Sequence, residues 1–205
     1  MIDQYCLYYS YKSIGDVLLV DFSHDQSMSK TRRFQDVEVI YHDEQIIGYN
    51  IFNLSKIIKI KTKGLIFLPS HLFIDVVNSI LSNAQLPLLN YRFSSGYLIG
   101  QIKNIQFKGD AFFIDVDINN RIVTARLPKE TVSLHDKVVV ALIDTSLNNG
   151  QIIRLQKNHF GIANCHICTY AELNLSESNE IYIADEDGII GDDFFQIGEE
   201  ENERN

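Results

Sequence analysis

The chain has 205 residues, of which 45% are hydrophobic and 22% charged, a composition that excludes a wholly disordered protein and fits one large domain or two small ones. No apolar run reaches the roughly 18–20 residues of a membrane-spanning helix. The first 16 residues lack the pattern of a secretory signal, and the three cysteines show no disulfide framework. We therefore expect a reduced, cytoplasmic setting and no association with a membrane.

The net charge of −9 is distributed unevenly along the chain. Residues 1–90 carry 8 Lys/Arg and 9 Asp/Glu, residues 91–160 carry 9 and 6, and residues 161–205 carry 1 and 12. Nucleic-acid-binding proteins usually have a basic surface, because neutralising phosphates drives their affinity. The total charge argues against this function. The mildly basic middle segment permits it, provided that the acidic residues lie away from that segment.

The first part of the chain is predicted to be mostly β-strand. Strands are expected in the aromatic-rich run 6–11, in the apolar run 17–20 and in a hairpin formed by 36–41 and 45–52. The polar, aperiodic residues 23–33 are expected to form a loop.

Lysine and isoleucine alternate between residues 55 and 63, which predicts a further strand with Lys59, Lys61 and Lys63 on one face. Two interpretations of that face stay open. The lysines form the solvated side of an edge strand that is protected against pairing, or they form a stripe of phosphate contacts.

The strongest helix signal lies between residues 70 and 81. Apolar residues recur at helical spacing from Leu72 to Leu81, and Ser70 is the expected N-cap. The following residues 82–90 include Pro87 and are expected to link two domains. The N-terminal domain, of α+β class, is therefore predicted over residues 1–90.

The second half is predicted to be a small β-barrel over residues 91–197. Its strands are expected at 97–105, 111–116, 121–126, 137–143 and 151–155, with turns between them. Five short strands suit a closed or partly closed barrel, of which an OB-type barrel is one candidate. A helical turn is expected at 169–173, a short strand at 181–183 and a disordered acidic tail at 198–205. The predicted fold class is mainly β, or α+β.

Two cysteines and two histidines in the last third are of the types that bind zinc. His159, Cys165, His166 and Cys168 include one C-x-x-C pair, which also occurs in redox dithiols. The four lie within ten residues, and neither a second such pair nor a thioredoxin-like setting accompanies them, so ordinary, partly buried side chains are the preferred interpretation. Nucleotide-binding loops and hydrolase motifs are also absent from the sequence. We therefore expect no catalytic site, no metal site and no cofactor.

Cations and aromatic rings are interleaved along the predicted barrel. The set comprises Lys103, Lys108, Arg121, Arg126, Lys129 and Lys137 with Tyr97, Phe107, Phe112 and Phe113. Bases of RNA can stack on such rings while the cations meet phosphates. The same pattern also arises when the rings are in the core and the cations in solvent.

Two N-terminal blocks, IGDVLLV at 14–20 and GYNIFN at 48–53, resemble those of bacterial YtpR-like proteins. That family joins a small N-terminal domain to an EMAP-type tRNA-binding domain, an OB-fold that also occurs in the β subunit of phenylalanyl-tRNA synthetase. The C-terminal half resembles this domain in order. The matching stretches are 96–105, Ile122 and Val123, Val138 to Ala141, and Cys168 with Glu172 and Leu173.

The RNA-facing motifs of that family are degenerate in this chain. The H-P-x-A-D-K-L segment is absent, and the S-x-G-M segment reads Ala163-Asn164-Cys165-His166. The resemblance implies a non-enzymatic protein that binds tRNA or another structured RNA, and, by analogy with free-standing members, a homodimer. Asn164 and His166 stand where the family contacts RNA. The cations expected to contact phosphates are Lys103, Lys108, Arg121, Arg126 and Lys129. The alternative is a barrel that docks a protein partner of the translation machinery without binding RNA.

Overall fold

A computed structural model of the chain describes residues 2–22, 26–60 and 63–196. The chain divides into two units, Met1–Phe93 and Ser94–Asn205. The predicted boundary between residues 90 and 91 lies three residues before this division. The tail predicted over 198–205 lies outside the described residues.

The described residues of the first unit form a six-stranded antiparallel sheet with helices at its margins. In chain order the strands are β1 (Cys6–Tyr9), β2 (Val17–Asp21), β3 (Lys30–Phe34), β4 (Val37–His42), β5 (Gln45–Phe52) and β6 (Gly64–Leu65). Their order in the sheet is β3-β4-β5-β2-β1-β6. The helices are α1 (Tyr11–Ile14), a 3-10 turn (Leu54–Lys56) and α2 (His71–Asn83).

Helix α2 supplies one side of the core of this unit. Its buried residues Phe73, Ile74, Val77 and Leu81 recur at helical spacing and belong to the same core as the inward-facing residues of the strands. The Ser70 hydroxyl accepts a hydrogen bond from the backbone N–H of Phe73 at 3.3 Å. The predicted helix and its N-cap are therefore confirmed.

Two predictions for the first unit are wrong. Strand β3 includes residues 30–33 of the predicted loop 23–33. Most of its residues are exposed, so the hydrophobic alternation that marks a strand is missing. Residues 55–60 contain no strand, because the chain turns at the buried Leu54 and Asp16 accepts hydrogen bonds from the backbone and hydroxyl of Ser55. Lys61 lies outside the described residues.

The second unit is built on a nearly closed five-stranded antiparallel sheet in its described residues. Its strands are β7 (Tyr97–Lys108), β8 (Ala111–Asp117), β9 (Ile122–Leu127), β10 (Lys137–Leu142) and β13 (Cys165–Ile167), in the order β13-β10-β7-β8-β9. A separate hairpin is formed by β11 (Gln156–Asn158) and β12 (Gly161–Ala163). With 41% strand and 12% helix in the whole structure, the mainly β, α+β prediction with a barrel is confirmed.

The barrel core follows from the two-residue alternation of its strands. Ile102, Ile114, Val116, Val123 and Val140 point inward and are buried. The loop after β9 adds Val132 to the same core. The outward positions carry the polar and charged side chains that the sequence predicted for the barrel wall.

Residues 151–155 form no barrel strand, contrary to the prediction. Ile152 bridges to Ser146, and Ile153 exchanges backbone hydrogen bonds with Asp144 and Thr145, so the segment closes a local loop. Residues 169–173 form turns, and Ile181 and Ile183 make isolated bridges rather than a strand. Within the described ranges, no helix has both the length and the apolar character needed to cross a membrane.

Candidate nucleic-acid interface

Two connections between barrel strands, the β7–β8 turn and the segment that contains the β11–β12 hairpin, lie side by side at one end of β7. The turn between β7 and β8 has Gly109 at φ +67°, and a Cβ at this glycine would overlap the ring of Phe160. On the same β11–β12 hairpin, a Cβ at Gly161 would lie 2.8 Å from the ring of Phe113. The two glycines therefore allow the hairpin to pack closely on the turn.

This contact brings together charged side chains that are distant in the sequence. We call Lys108, Asp110, Arg126, Lys157 and His159 the basic rim. Among these described residues, three are permanent cations and one is a carboxylate. The exposed Lys157 and His159 belong to the β11–β12 hairpin. The pKa of the Asp110 carboxyl is lowered mainly by Arg126 and to a smaller extent by the nearby His159.

Arg126 is the best-held cation of the basic rim. Its Nη2 donates to Asp110 Oδ1 at 2.9 Å, and this hydrogen bond and charge lower the pKa of the Asp110 carboxyl. The buried Nε of Arg126 has no acceptor within the described residues, so the guanidinium is only partly satisfied. Lys108 Nζ lies 5.6 Å from the centroid of the Phe113 ring.

The other predicted phosphate-contacting cations are spread over the wall. Lys103 Nζ lies 2.7 Å from Gln101 Oε1 and 3.6 Å from Asp117 Oδ2, next to an irregularity in the β7–β8 ladder. Arg121 and Lys129 are exposed, and they flank opposite ends of β9. The five cations therefore do not form one row, and the basic rim holds Lys108 and Arg126.

Asn164 and His166 both have partners inside the barrel unit. Asn164 joins the segment before β13 to β9. Its side-chain Oδ1 accepts a hydrogen bond from the backbone N–H of Thr124, and its backbone N–H donates to the Thr124 carbonyl, both at 2.8 Å. His166 Nε2 lies 2.9 and 3.0 Å from the two carboxyl oxygens of Glu172. The Thr169 backbone N–H and hydroxyl donate to the same carboxylate at 2.8 and 3.0 Å.

Burial raises the pKa of Glu172, but the hydrogen bonds from His166 and Thr169 outweigh it and leave that pKa below its ordinary value. The pair formed by His166 and Glu172 is therefore a fixed part of the segment that follows β13.

The two cysteines of the C-x-x-C pair are buried. Burial raises the pKa of the Cys165 thiol to about 12 and that of Cys168 well above its ordinary value. Thiols of this kind are poor nucleophiles and poor metal ligands, because both roles need the thiolate. His159 lies at the tip of the β11–β12 hairpin, and its ring contacts that of Phe160 with the two ring planes tilted by 45°. Within 2–22, 26–60 and 63–196, no cluster of His, Cys, Asp and Glu is suited to a metal ion.

The aromatic side chains of the barrel divide between core and surface. Tyr97 and Phe113 are buried, and the Tyr97 hydroxyl donates to the Ser146 carbonyl at 2.6 Å. Phe112 is partly buried, whereas Phe107 is 62% exposed. Phe107 and Phe112 line a groove between the β7–β8 hairpin and the loop of residues 128–136, together with Ile105, Leu134, Lys103 and Ser133. We call this feature the barrel-end groove.

The acidic C-terminal segment pairs with the opposite end of β7. The backbone N–H of Ile99 donates to the Asp192 carbonyl, and Asp193 bridges to Leu98. The buried Asp193 carboxylate accepts hydrogen bonds from Ser94 and Ser95. Residues 98 and 108 are separated by up to about 30 Å of strand at roughly 3.3 Å per residue. The carboxylates of this segment are thus kept away from the basic rim.

Lys157 and His159 were missed as candidate RNA contacts by the sequence analysis. Their hairpin lies beside the β7–β8 turn through the packing of Phe160 on Gly109, across about 50 residues of sequence. The available signal was the polar turn Lys157-Asn158-His159, which precedes a glycine and interrupts the predicted strand pattern.

The comparisons with known proteins bear on the first unit. Residues 24–88, about a third of the chain, match the family described as a domain of unknown function (DUF4479). The search of curated proteins found no match.

Proposed function

We propose that this protein binds tRNA or another structured RNA through the barrel of its second unit and performs no catalysis. The observation that carries the proposal is the basic rim, where Lys108 and Arg126 lie beside the hairpin that carries Lys157. OB-type barrels bind nucleic acid through such connections. The strand order β13-β10-β7-β8-β9 supports an OB-type barrel. The resemblance to YtpR-like proteins adds a homodimer and a role in cytoplasmic translation to the proposal.

In this mode of binding, RNA is recognised by shape and by its phosphates rather than by sequence. Lys108, Lys157 and the partly satisfied guanidinium of Arg126 contact phosphates at the rim. Lys103, Arg121 and Lys129 extend the contact along the wall. Asn164 and His166 hold the backbone behind it. With few phosphates neutralised, the affinity is modest and strongly salt-dependent.

The test is a titration of fluorescently labelled, unmodified tRNA at several salt concentrations. We expect the Lys108→Ala and Lys157→Ala variants each to weaken binding and to reduce the slope of log affinity against log salt by roughly 0.7–0.9. Lys12→Ala, at an exposed lysine of the first unit, is the matched control and leaves both quantities unchanged. Absence of tRNA binding at tens of micromolar protein in low salt contradicts the proposal.

A second candidate is the docking of a basic protein partner. A groove in the C-terminal segment is lined by Asp185, Asp187 and Asp192 together with the rings of Tyr182 and Phe194. Carboxylates beside aromatic faces attract Lys and Arg side chains. If this candidate is right, the wild-type protein captures a partner from nuclease-treated lysate. The double variant Asp185→Asn, Asp187→Asn does not retain that partner, and purified tRNA does not bind to the wild type.

A further inference from the structure

An exposed phenylalanine on a barrel strand is the starting observation. Phe107 is 62% exposed although it lies opposite Phe112 in the β7–β8 ladder. The two ring centroids are 5.0 Å apart, with an angle of 54° between the rings. The ladder and the neighbouring ring therefore fix the position of Phe107, while most of its surface stays in contact with solvent.

The groove beside Phe107 has a wall that is held by hydrogen bonds and by packing in the core. The loop of residues 128–136 is attached to β7, because the backbone of Ile102 bonds to His135 and Asp136, each at 3.0 Å. The Asp136 carboxylate accepts from the Ser133 backbone N–H at 2.7 Å. Val132 anchors the same loop in the core. A ligand thus meets a wall that is already ordered, which reduces the entropic cost of binding.

The groove combines its aromatic rings with one lysine and one carboxylate. Lys103 lines the groove, and Lys108 follows Phe107 in the chain and belongs to the basic rim. Glu130 also lines the groove and is flanked in the sequence by Lys129. Consecutive residues of a strand point to opposite faces, so Lys108, which lies against Phe113, is on the other side of the β7–β8 hairpin from Phe107. An RNA that passes around the tip of this hairpin reaches both the basic rim and the groove.

We propose that the barrel-end groove binds an unpaired base of the RNA, stacked on Phe107, with an adjoining phosphate towards Lys103. This inference rests on the proposed RNA-binding function and specifies its ligand as an RNA with a single-stranded element. Stacking on an aromatic side chain tolerates any base, since every base has a π face. The groove therefore selects unpaired against paired nucleotides and not one sequence against another.

The first test uses the absence of tryptophan from this chain. In the Phe107→Trp variant, the indole is the sole tryptophan, and stacking of a base quenches its fluorescence. We expect quenching by a short single-stranded RNA and by tRNA, but not by a blunt duplex RNA. Ile189→Trp, at an exposed apolar residue of the acidic segment, is the control and stays unquenched. If RNA binds to the Phe107→Trp variant without quenching its tryptophan fluorescence, the inference is overturned.

The second test measures affinity with the Phe107→Ala variant. We expect tRNA and single-stranded RNA to bind at least about fivefold more weakly, with duplex binding and the salt slope unchanged, because no phosphate contact is lost. Ile189→Ala is the matched control. If wild-type protein binds tRNA and Phe107→Ala binds it equally well, the groove proposal fails and the RNA-binding function stands. If wild-type protein binds no RNA at all, both fail together.

Discussion

The carboxylate of Glu172 has a structural role in the second unit. It accepts hydrogen bonds from Thr169 and pairs with His166, and these partners lower its pKa in spite of burial. Because the folded-state pKa is below the unfolded value, this carboxylate stabilises the fold above the unfolded pKa. The stabilisation disappears as the pH falls through the folded-state pKa.

The Glu172→Gln variant tests this pH dependence. We expect it to lower the free energy of unfolding by about 1–2 kcal/mol at neutral pH, since the amide replaces an ionised acceptor of three hydrogen bonds. The deficit should shrink at acidic pH, where the wild-type carboxyl is itself protonated. Urea unfolding followed by circular dichroism at neutral and acidic pH measures it.

The control for that measurement is Glu177→Gln, which removes the same charge at an exposed position nearby. It should change the free energy of unfolding by no more than about 0.5 kcal/mol. A pH-independent deficit in Glu172→Gln would show that the charge of Glu172 does not contribute and that only its packing does.

At the scale of elements, the strands that the sequence predicts well are those with one buried face. Apolar and polar residues alternate in β8 and β9, and the period alone places them. Strand β3 lacks this signal because it is an exposed edge, stabilised by Arg33 stacked 3.8 Å above the ring of Phe52. The lysine alternation at 55–63 misled the prediction, since Asp16 turns the chain there through hydrogen bonds that no local pattern shows.

The candidate site was predicted in composition but not in geometry. Lys108 and Arg126 were identified because they are cations on barrel strands. The position of the Lys157 hairpin beside them depends on the packing of Phe160 against Gly109, which is a long-range contact. The ion pair of Lys103 with Asp117 depends on a register irregularity in the β7–β8 ladder, which periodicity cannot indicate.

The glycine at the β7–β8 turn tests whether the two connections must touch for RNA to bind. Gly109 and Gly150 both have a positive φ, at +67° and +85°, but a Cβ at Gly150 meets nothing within 4 Å. Both alanine variants should lose about 1–2 kcal/mol of stability from backbone strain. Only Gly109→Ala should also weaken tRNA binding, because its Cβ displaces Phe160 and the hairpin that carries Lys157.

Thermal unfolding and tRNA titration of the two variants give the comparison. Phe160 is 38% exposed, so we expect its displacement by the added Cβ in Gly109→Ala to cost little stability beyond the backbone strain. Equal tRNA affinity in Gly109→Ala and Gly150→Ala would mean that the hairpin does not take part in the RNA interface.

At the scale of the whole molecule, a protein of net charge −9 can bind a polyanion only if its charges are segregated. The acidic segment pairs with β7 near residues 98 and 99, whereas the basic rim begins at residue 108. Lys137 reinforces this arrangement, because its ammonium group is bound to the backbone carbonyls of Glu186 and Gly188 and not to a carboxylate. The residual repulsion between this segment and a bound RNA therefore depends on screening over roughly 20–30 Å.

Neutralising the acidic segment at two salt concentrations measures that repulsion. The screening length is about 30 Å at 0.01 M salt and about 8 Å at 0.15 M. The triple variant Asp185→Asn, Glu186→Gln and Asp187→Asn should therefore bind tRNA several-fold more tightly than the wild type at 0.01 M. At 0.15 M the two should agree within about twofold. Asp110→Asn, within the basic rim, should strengthen binding at both concentrations, because its charge acts at contact distance. Equal strengthening of the triple variant at both concentrations would place these carboxylates in the path of the RNA, and the acidic segment would then limit binding directly.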